Sequence, residues 1–340
     1  MTPSVLSRQR ALRDACALLL VSGLAAGLIA GCDSAASAGD TPIADRATYH
    51  IGLLQIAPAT VVDQTVQAFR DRLTQAMAPK QVTVDVINAQ GDQSLIASSA
   101  RDLAGSSDDA FAVIGTPAVI ALAQQVKDRP IIALAMGDPV GAGLADSLDK
   151  PGKNVTGSVD YVDPALLLDQ IMAIQPVPKR LGTVYDPSNQ NMTVWVAALK
   201  KAIAARPGLE LVESTISGSA DVANAARSLV GRSDAVLIGP DATVFAGLPA
   251  VGSAVGGAGI PVYVSGGDAS VDGILATIGP NYPSVGALAA DATVDVLHGT
   301  PAGQVPFRRP NGVEFGINKK TLDKLGVVVP PSIMATAVVK

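Results

Sequence analysis

Short apolar runs alternate with stretches of helical spacing, and the alternation runs through the chain twice. Residues 49–56 (YHIGLLQI), 110–114 and 130–135 (PIIALA) are compact apolar runs, and residues 82–87 alternate. Between them Val62, Val66, Phe69, Leu73 and Met77 recur at helical spacing. Residues 95–103 read as a second helix, and Thr116-Pro117 opens a third with a threonine cap and a proline in the first turn. Continuous apolar runs predict strands buried on both faces. Strands that alternate with helices predict a parallel sheet covered by helices on both sides.

The pattern then restarts. Residues 165–174, 191–205, 221–229 and most of 243–255 read as helices. Residues 180–185 (RLGTVY), 209–215, 235–238 (AVLI), 260–264 and 274–278 read as strands, and a last long helix follows at 285–297. The proline-rich tail, 301–340, carries one short helix near 319–325. Two such sets predict two similar lobes, in keeping with about 150 residues per domain in a chain of 340. No high-identity repeat is visible, so the likeness of the lobes is structural. Right-handed crossovers bring strand carboxyl ends to one edge of each lobe, and two such edges facing across a hinge make a cleft.

Between the two sets, residues 136–160 (MGDPVGAGLADSLDKPGKNVTGSVD) abandon both periodicities. Asp138-Pro139 and Pro151-Gly152 are turn pairs, and Gly141 and Gly143 permit positive φ. Strand-like composition returns at 154–158. A long loop at the carboxyl end of a buried strand is where open α/β sheets bind ligands, although a plain surface connection has the same composition.

The first residues read as an export signal. Arg8, Arg10 and Arg13 precede an apolar stretch, 15–30, shorter than the roughly 20 residues a membrane-spanning helix needs. Ile29-Ala30-Gly31-Cys32 ends it in the manner of a bacterial lipobox, which predicts a signal peptide at 1–31 and acylation of Cys32. An ordinary signal peptide with an incidental cysteine is the alternative. Residues 32–47 are small and polar and read as a disordered tether. Of the two cysteines, Cys16 lies within the signal, which leaves the mature chain one thiol and no intrachain disulfide.

Composition excludes several functions. A net charge of −5 offers nothing to nucleic acid. His50 and His298 are the only histidines, there is no metal-ligand cluster and no cysteine nucleophile in the core. No G-x-G-x-x-G follows the first strand, so no dinucleotide cofactor is expected. The expectation is a binding protein, not an enzyme, with no cofactor.

Several segments occur together in a distinctive order: NAQGD (88–92), GTPA (115–118), DPVGAG (138–143), KPGKNVTG (150–157), YDPSNQN (185–191) and GPDATV (239–244). In these the chain resembles bacterial ABC-transporter substrate-binding lipoproteins of the tryptophan- and phenylalanine-binding type, over residues 49–331. The resemblance implies a type I periplasmic-binding-protein fold, α/β, with two Rossmann-like lobes joined by a three-crossing hinge and a small ligand trapped between them. It places the crossings near Ser158, Ala276 and Thr300. The first lobe is then 48–158 plus 277–300, and the second 159–276 plus 301–340. It further implies a partner permease in the membrane and a location on the periplasmic face of the inner membrane, or the outer face of the cytoplasmic membrane, held by the lipid. A sensory protein of the same fold, docking on a membrane receptor, is the alternative.

The expected ligand is an amino acid, aromatic or branched and apolar. Its carboxylate wants hydroxyls and helix starts. Thr116, with Pro117 beside it, and Asn191, which matches a family ligand position, fit that need; each could equally cap its own helix. Its ammonium wants a carboxylate, and Asp241, in the turn after 235–238, matches the family aspartate or else is a plain cap. Asp268 lies in the corresponding turn after 260–264, displaced by Gly266-Gly267. Gln55 and Pro58 lie in the first-strand loop, Asp138 in the central loop. Pro58, Tyr161, Tyr263 and Tyr282 are the candidate walls for the side chain. Glutamate and histidine, common in the family's first-strand loop, are missing from 55–60, and Met192 replaces a small hydroxyl residue.

Overall fold

The computed structural model describes residues 43–174 and 176–340. The signal peptide, Cys32 and most of the tether lie outside them. Two sheets form the body. The first holds β1 (Thr48–Gln55), β2 (Gln81–Asn88), β3 (Ala110–Ile114), β4 (Ile131–Leu134) and β5 (Val155–Gly157), all parallel, in the order β2-β1-β3-β4-β5. Its helices are α1 (Thr60–Met77), α2 (Gln93–Ala104) and α3 (Thr116–Gln125).

The second lobe begins with α4 (Pro164–Ala173), β6 (Arg180–Tyr185), α5 (Gln190–Ala204), β7 (Glu210–Thr215), α6 (Val222–Leu229) and β8 (Ala235–Ile238). It continues through α7 (Ala242–Ala246), α8 (Leu248–Val251), β9 (Val262–Val264) and β10 (Ala276–Gly279). Then come α9 (Tyr282–Leu297), β11 (Glu314–Ile317), α10 (Lys319–Leu325), α11 (Pro331–Met334) and β12 (Val338–Val339). The sheet order is β12-β11-β10-β9-β8-β6-β7. This is the two-lobed, mostly parallel α/β architecture that the sequence predicts.

Local chemistry explains the elements. The strands at the sheet centres (β3, β4, β8) are buried at every residue, as parallel strands between helix layers must be. Asp92 accepts from the backbone N–H of Ser94 and Leu95 and starts α2; Asp163 accepts from Ala165 and starts α4; Asn281 accepts from Ser284 and starts α9. Trp195 of α5 is fully buried and donates its indole N–H to the Val162 carbonyl at 3.2 Å. The antiparallel β11 and short β12 lie in the tail that the sequence reading leaves without strands. Four residues, EFGI, carry too little pattern to announce a strand that exists because β10 pairs with it.

The chain crosses between the sheets three times. The first crossing runs from the end of β5 to α4. The second is Pro280-Asn281, between β10 in the second sheet and α9, which packs on α1 in the first lobe. The third follows Arg308, whose N–H bonds the Gly157 carbonyl at 2.8 Å, and leads to β11. Residues 277–279 therefore pair in the second sheet, and 301–308 lie on the first lobe, the reverse of the boundaries expected from the resemblance. Pairing with β9 and β11 holds 277–279, while the Thr156 hydroxyl bonding the Val305 carbonyl (2.7 Å) and burial of Phe307 hold 305–308. Among the described residues no helix is long and apolar enough to cross a membrane.

Candidate functional site

The carboxyl ends of the two sheets face each other and are closed together. Ser219 of the second lobe donates to the Gln90 carbonyl of the first at 3.4 Å. Gly137, just after β4, sits so close to Asn191 of α5 that a methyl group there would overlap the Asn191 carboxamide. Between the lobes is a small cavity of about 30 Å3. That is room for a few water molecules, so admission of an amino acid requires the lobes to part.

Each wall of this cavity comes from a strand end or the helix that follows it. Ile56 follows β1 and Ile114 ends β3, and Val61, Val62 and Thr65 come from the first turns of α1. Thr116 opens α3. From the second lobe come Asn189 and Asn191 at the start of α5, and Pro240, Ala242 and Phe245 around α7. The hinge supplies Asp160 from the first crossing and Tyr282 from the start of α9. Phe245 and Tyr282 meet edge to face, with ring centroids 6.4 Å apart.

Asp160 is the electrostatic centre. It is 5% exposed, its Oδ2 accepts from the Tyr282 hydroxyl at 3.1 Å, and its Oδ1 has no hydrogen-bond partner. Burial pushes the carboxyl up to about 7, against the opposing pull of the Tyr282 hydroxyl and the residue's own backbone N–H. Burial and the adjacent Asp160 together push the Tyr282 phenol well above its ordinary value. A buried carboxylate with one oxygen unsatisfied, facing a cavity, is a receptor for a cation or a second hydrogen-bond donor.

The residues singled out by the sequence are distributed unequally. Thr116, Asn191 and Tyr282 line the cavity. Asn191 also donates from Nδ2 to the Pro240 carbonyl at 3.3 Å. Asp241 does not line it. Its Oδ1 accepts from the Thr243 N–H (3.0 Å) and its Oδ2 from the Asp186 N–H (2.8 Å), so both oxygens serve the backbone as a cap of α7. Burial and, after the Asp186 N–H bond, the nearby Asp186 charge act on this carboxyl, which is raised to about 6.

Gln55 is buried but turned to Asp63 (2.7 Å) and the Ala57 carbonyl (3.0 Å), bracing α1. Pro58 is exposed, and Pro117 sits in the first turn of α3 without reaching the cavity. Asp268 accepts from the Ser270 N–H at 2.9 Å, in a separate hollow beside β10 and β11. Asp138 caps its own turn through the Gly141 N–H at 2.7 Å. Tyr161 faces away from the cleft, and Tyr263 is buried in the core of the second lobe.

Sequence reasoning missed Asp160, Asn189, Phe245 and the first turns of α1. Asp160 had a signal: it ends the distinctive loop, directly after the strand at 154–158. Phe245 and the α1 residues had none, because an apolar residue on a helix reads as core.

The sequence profile described as "ABC transporter substrate binding protein" matches residues 50–339. A tyrosine-binding protein of Clostridioides difficile is 30% identical over 314 residues, covering 91% of each chain. The structure of an ABC domain in complex with L-Trp from Streptococcus pneumonia aligns with TM-score 0.81 at 29% identity, over 86% of this chain and all of that one. A ligand-free, open substrate-binding protein with adhesive properties from Clostridium difficile aligns at 31% identity over 86% of this chain and 99% of that one, but with TM-score 0.61. Similar identity with a lower overall fit to the open form accords with the lobe contacts described above. The protein belongs to the family of ABC transporter substrate-binding proteins, which bind solutes and catalyse no reaction.

Proposed function

We propose that this protein captures a free α-amino acid with an apolar side chain, aromatic or branched, outside the cytoplasm and hands it to a membrane permease. The observation that carries the reading is the unpartnered Oδ1 of Asp160 in the cavity wall. The ligand ammonium meets that oxygen. Its carboxylate lies against the Thr116 hydroxyl and the start of α3, where the helix macrodipole is positive, with Asn191 and Asn189 opposite. Val61, Val62, Ala242 and Phe245 receive the side chain. The tyrosine-binding relative and the L-Trp complex support an aromatic amino acid as first candidate. Acylation of Cys32, with 32–47 as tether, would hold the body at the membrane near its permease.

The test is a calorimetric titration of the ligand-stripped protein against each amino acid. At least one apolar amino acid is expected to bind saturably, with a micromolar Kd corresponding to about 8 kcal/mol. A full panel without binding would remove the amino-acid reading.

A further inference from the structure

A second hollow, of about 580 Å3, lies against the three crossings. Small-molecule sites commonly fall in this range of volume. Of the first crossing, Asp160 faces the amino-acid cavity, while Val159, Tyr161, Val162 and Asp163 line this hollow. Leu148 of the first lobe, Leu166 of α4 in the second and Val313 of the third crossing complete its apolar wall. Tyr161, Leu166 and Val313 are 43%, 42% and 43% exposed. Single exposed apolar side chains are ordinary, but three converging on one concave surface mark an interaction site.

The charged groups on the wall are Asp138, Asp163 and Arg309. Arg309 has a counter-ion of its own, Asp149, at 3.7 Å. Burial, then Asp163, then Asp138 hold the Tyr161 phenol above its ordinary pKa. The same negative charges that oppose a phenolate attract a cation, and the Tyr161 ring offers that cation a π face.

We propose that this hollow binds a small organic ammonium with an apolar body, and that its occupant raises the affinity of the amino-acid cleft. The coupling has a geometric basis. Leu148 and Leu166 stand on different lobes, so parting the lobes pulls the hollow's walls out of register. A molecule fitted to the closed arrangement binds the closed arrangement better, and shifts the lobes toward it. Linkage then makes the amine and the amino acid strengthen one another. The hollow itself is independent of the amino-acid reading; only the coupling rests on it.

The probe is 2-phenylethylammonium, titrated by calorimetry into the ligand-stripped full chain, with 3-phenylpropionate as the charge-reversed control. Saturable binding of the amine and none of the carboxylate is expected. Tyr161→Ala and Leu166→Lys should each weaken the amine roughly tenfold or more, and Asp160→Asn should leave it unchanged. With the amine saturating, the amino acid should bind about fivefold more tightly, a typical coupling, and the gain should vanish in Tyr161→Ala. Absence of saturation, undiminished binding in both Tyr161→Ala and Leu166→Lys, or loss of the amine only in Asp160→Asn would overturn the site. An amine that binds the hollow without changing the Kd of an amino acid that does bind would overturn the coupling. If no amino acid binds at all, the receptor reading fails while the amine titration still decides the hollow.

Discussion

Replacing Asp160 by asparagine should move affinity and stability in opposite directions. The variant keeps the shape of the side chain and an acceptor for the Tyr282 hydroxyl, now 3.1 Å from Oδ2. It removes the counter-ion of the ligand ammonium and turns a second donor toward it. Losing one partner of a buried charge pair costs about 2–5 kcal/mol, so the amino acid should bind at least about thirtyfold more weakly. Stability runs the other way. The carboxyl stands at about 7 in the folded protein against 3.8 for the ordinary group. At about 1.4 kcal/mol per pKa unit, ionising Asp160 at pH 8 costs the ligand-free fold about 4 kcal/mol. The sign follows from the raised value: this group's favourable contribution is complete below 3.8 and is lost as pH rises through about 7. Asparagine avoids that loss, less about 1–3 kcal/mol for an amide N–H2 that finds no partner where Oδ1 had none. At pH 8 the ligand-free variant should therefore unfold at the same or higher urea concentration than the parent, while calorimetry shows the weakened binding. Affinity within threefold of the parent, or a marked drop in stability at pH 8, would refute the placement of a buried, unpartnered carboxylate in the cleft.

The remaining expectations concern pH, closure, the core and the anchor. Because the ammonium needs the ionised form of Asp160, amino-acid affinity should fall by up to about tenfold per pH unit below about 7, and the slope should disappear in Asp160→Asn; a flat profile in the parent would contradict it. Gly137→Ala places a methyl against the Asn191 carboxamide, so small-angle scattering should show a more open molecule at saturating ligand, with affinity reduced roughly tenfold and ligand-free stability near that of the parent; normal closure would show that this contact does not limit it. Trp195→Ala empties the largest fully buried side chain and frees the Val162 carbonyl, for a loss of about 3–5 kcal/mol in urea unfolding. Cys32→Ser should move the protein from the membrane fraction to the soluble one, and persistence in membranes would exclude the acyl anchor.

Much of the fold was readable because its causes are local. The strands 110–114 and 235–238 are found at the residues their apolar runs occupy, since a parallel strand between helix layers needs only to be short and apolar throughout, and 180–185 is found where it was read although Arg180 and Thr183 interrupt its run. The helices expected at 95–103, 165–174 and 285–297 begin one to three residues earlier than their apolar spacing, where Asp92, Asp163 and Asn281 cap them. The long-range pairings carried none. Strand β11 exists because β10 lies open beside it, and the third crossing falls after Arg308 because Thr156 and Gly157 hold 305–308 to the first lobe.

The site divides in the same way. Thr116 and Asn191 stand at strand-to-helix junctions and line the cavity, whereas Gln55 and Asp241, at similar junctions, turn to α1 and to the backbone, so the junction alone does not settle where a polar side chain faces. Asp241 and Asp160 were not distinguishable as sequence. Each follows strand-like residues and each is buried. What separates them is whether the backbone uses both oxygens. Asp241 spends its pair on Thr243 and on Asp186, 55 residues away, and Asp160 is held on one side by Tyr282, 122 residues away, with the other oxygen left open. The order of apolar runs and turns was enough to determine two lobes and a cleft between them. Which carboxylate faces that cleft depends on groups far apart in the chain, Asp186 beside Asp241 within the second lobe and Tyr282 beside Asp160 at the crossings, and so only the tertiary structure decided it.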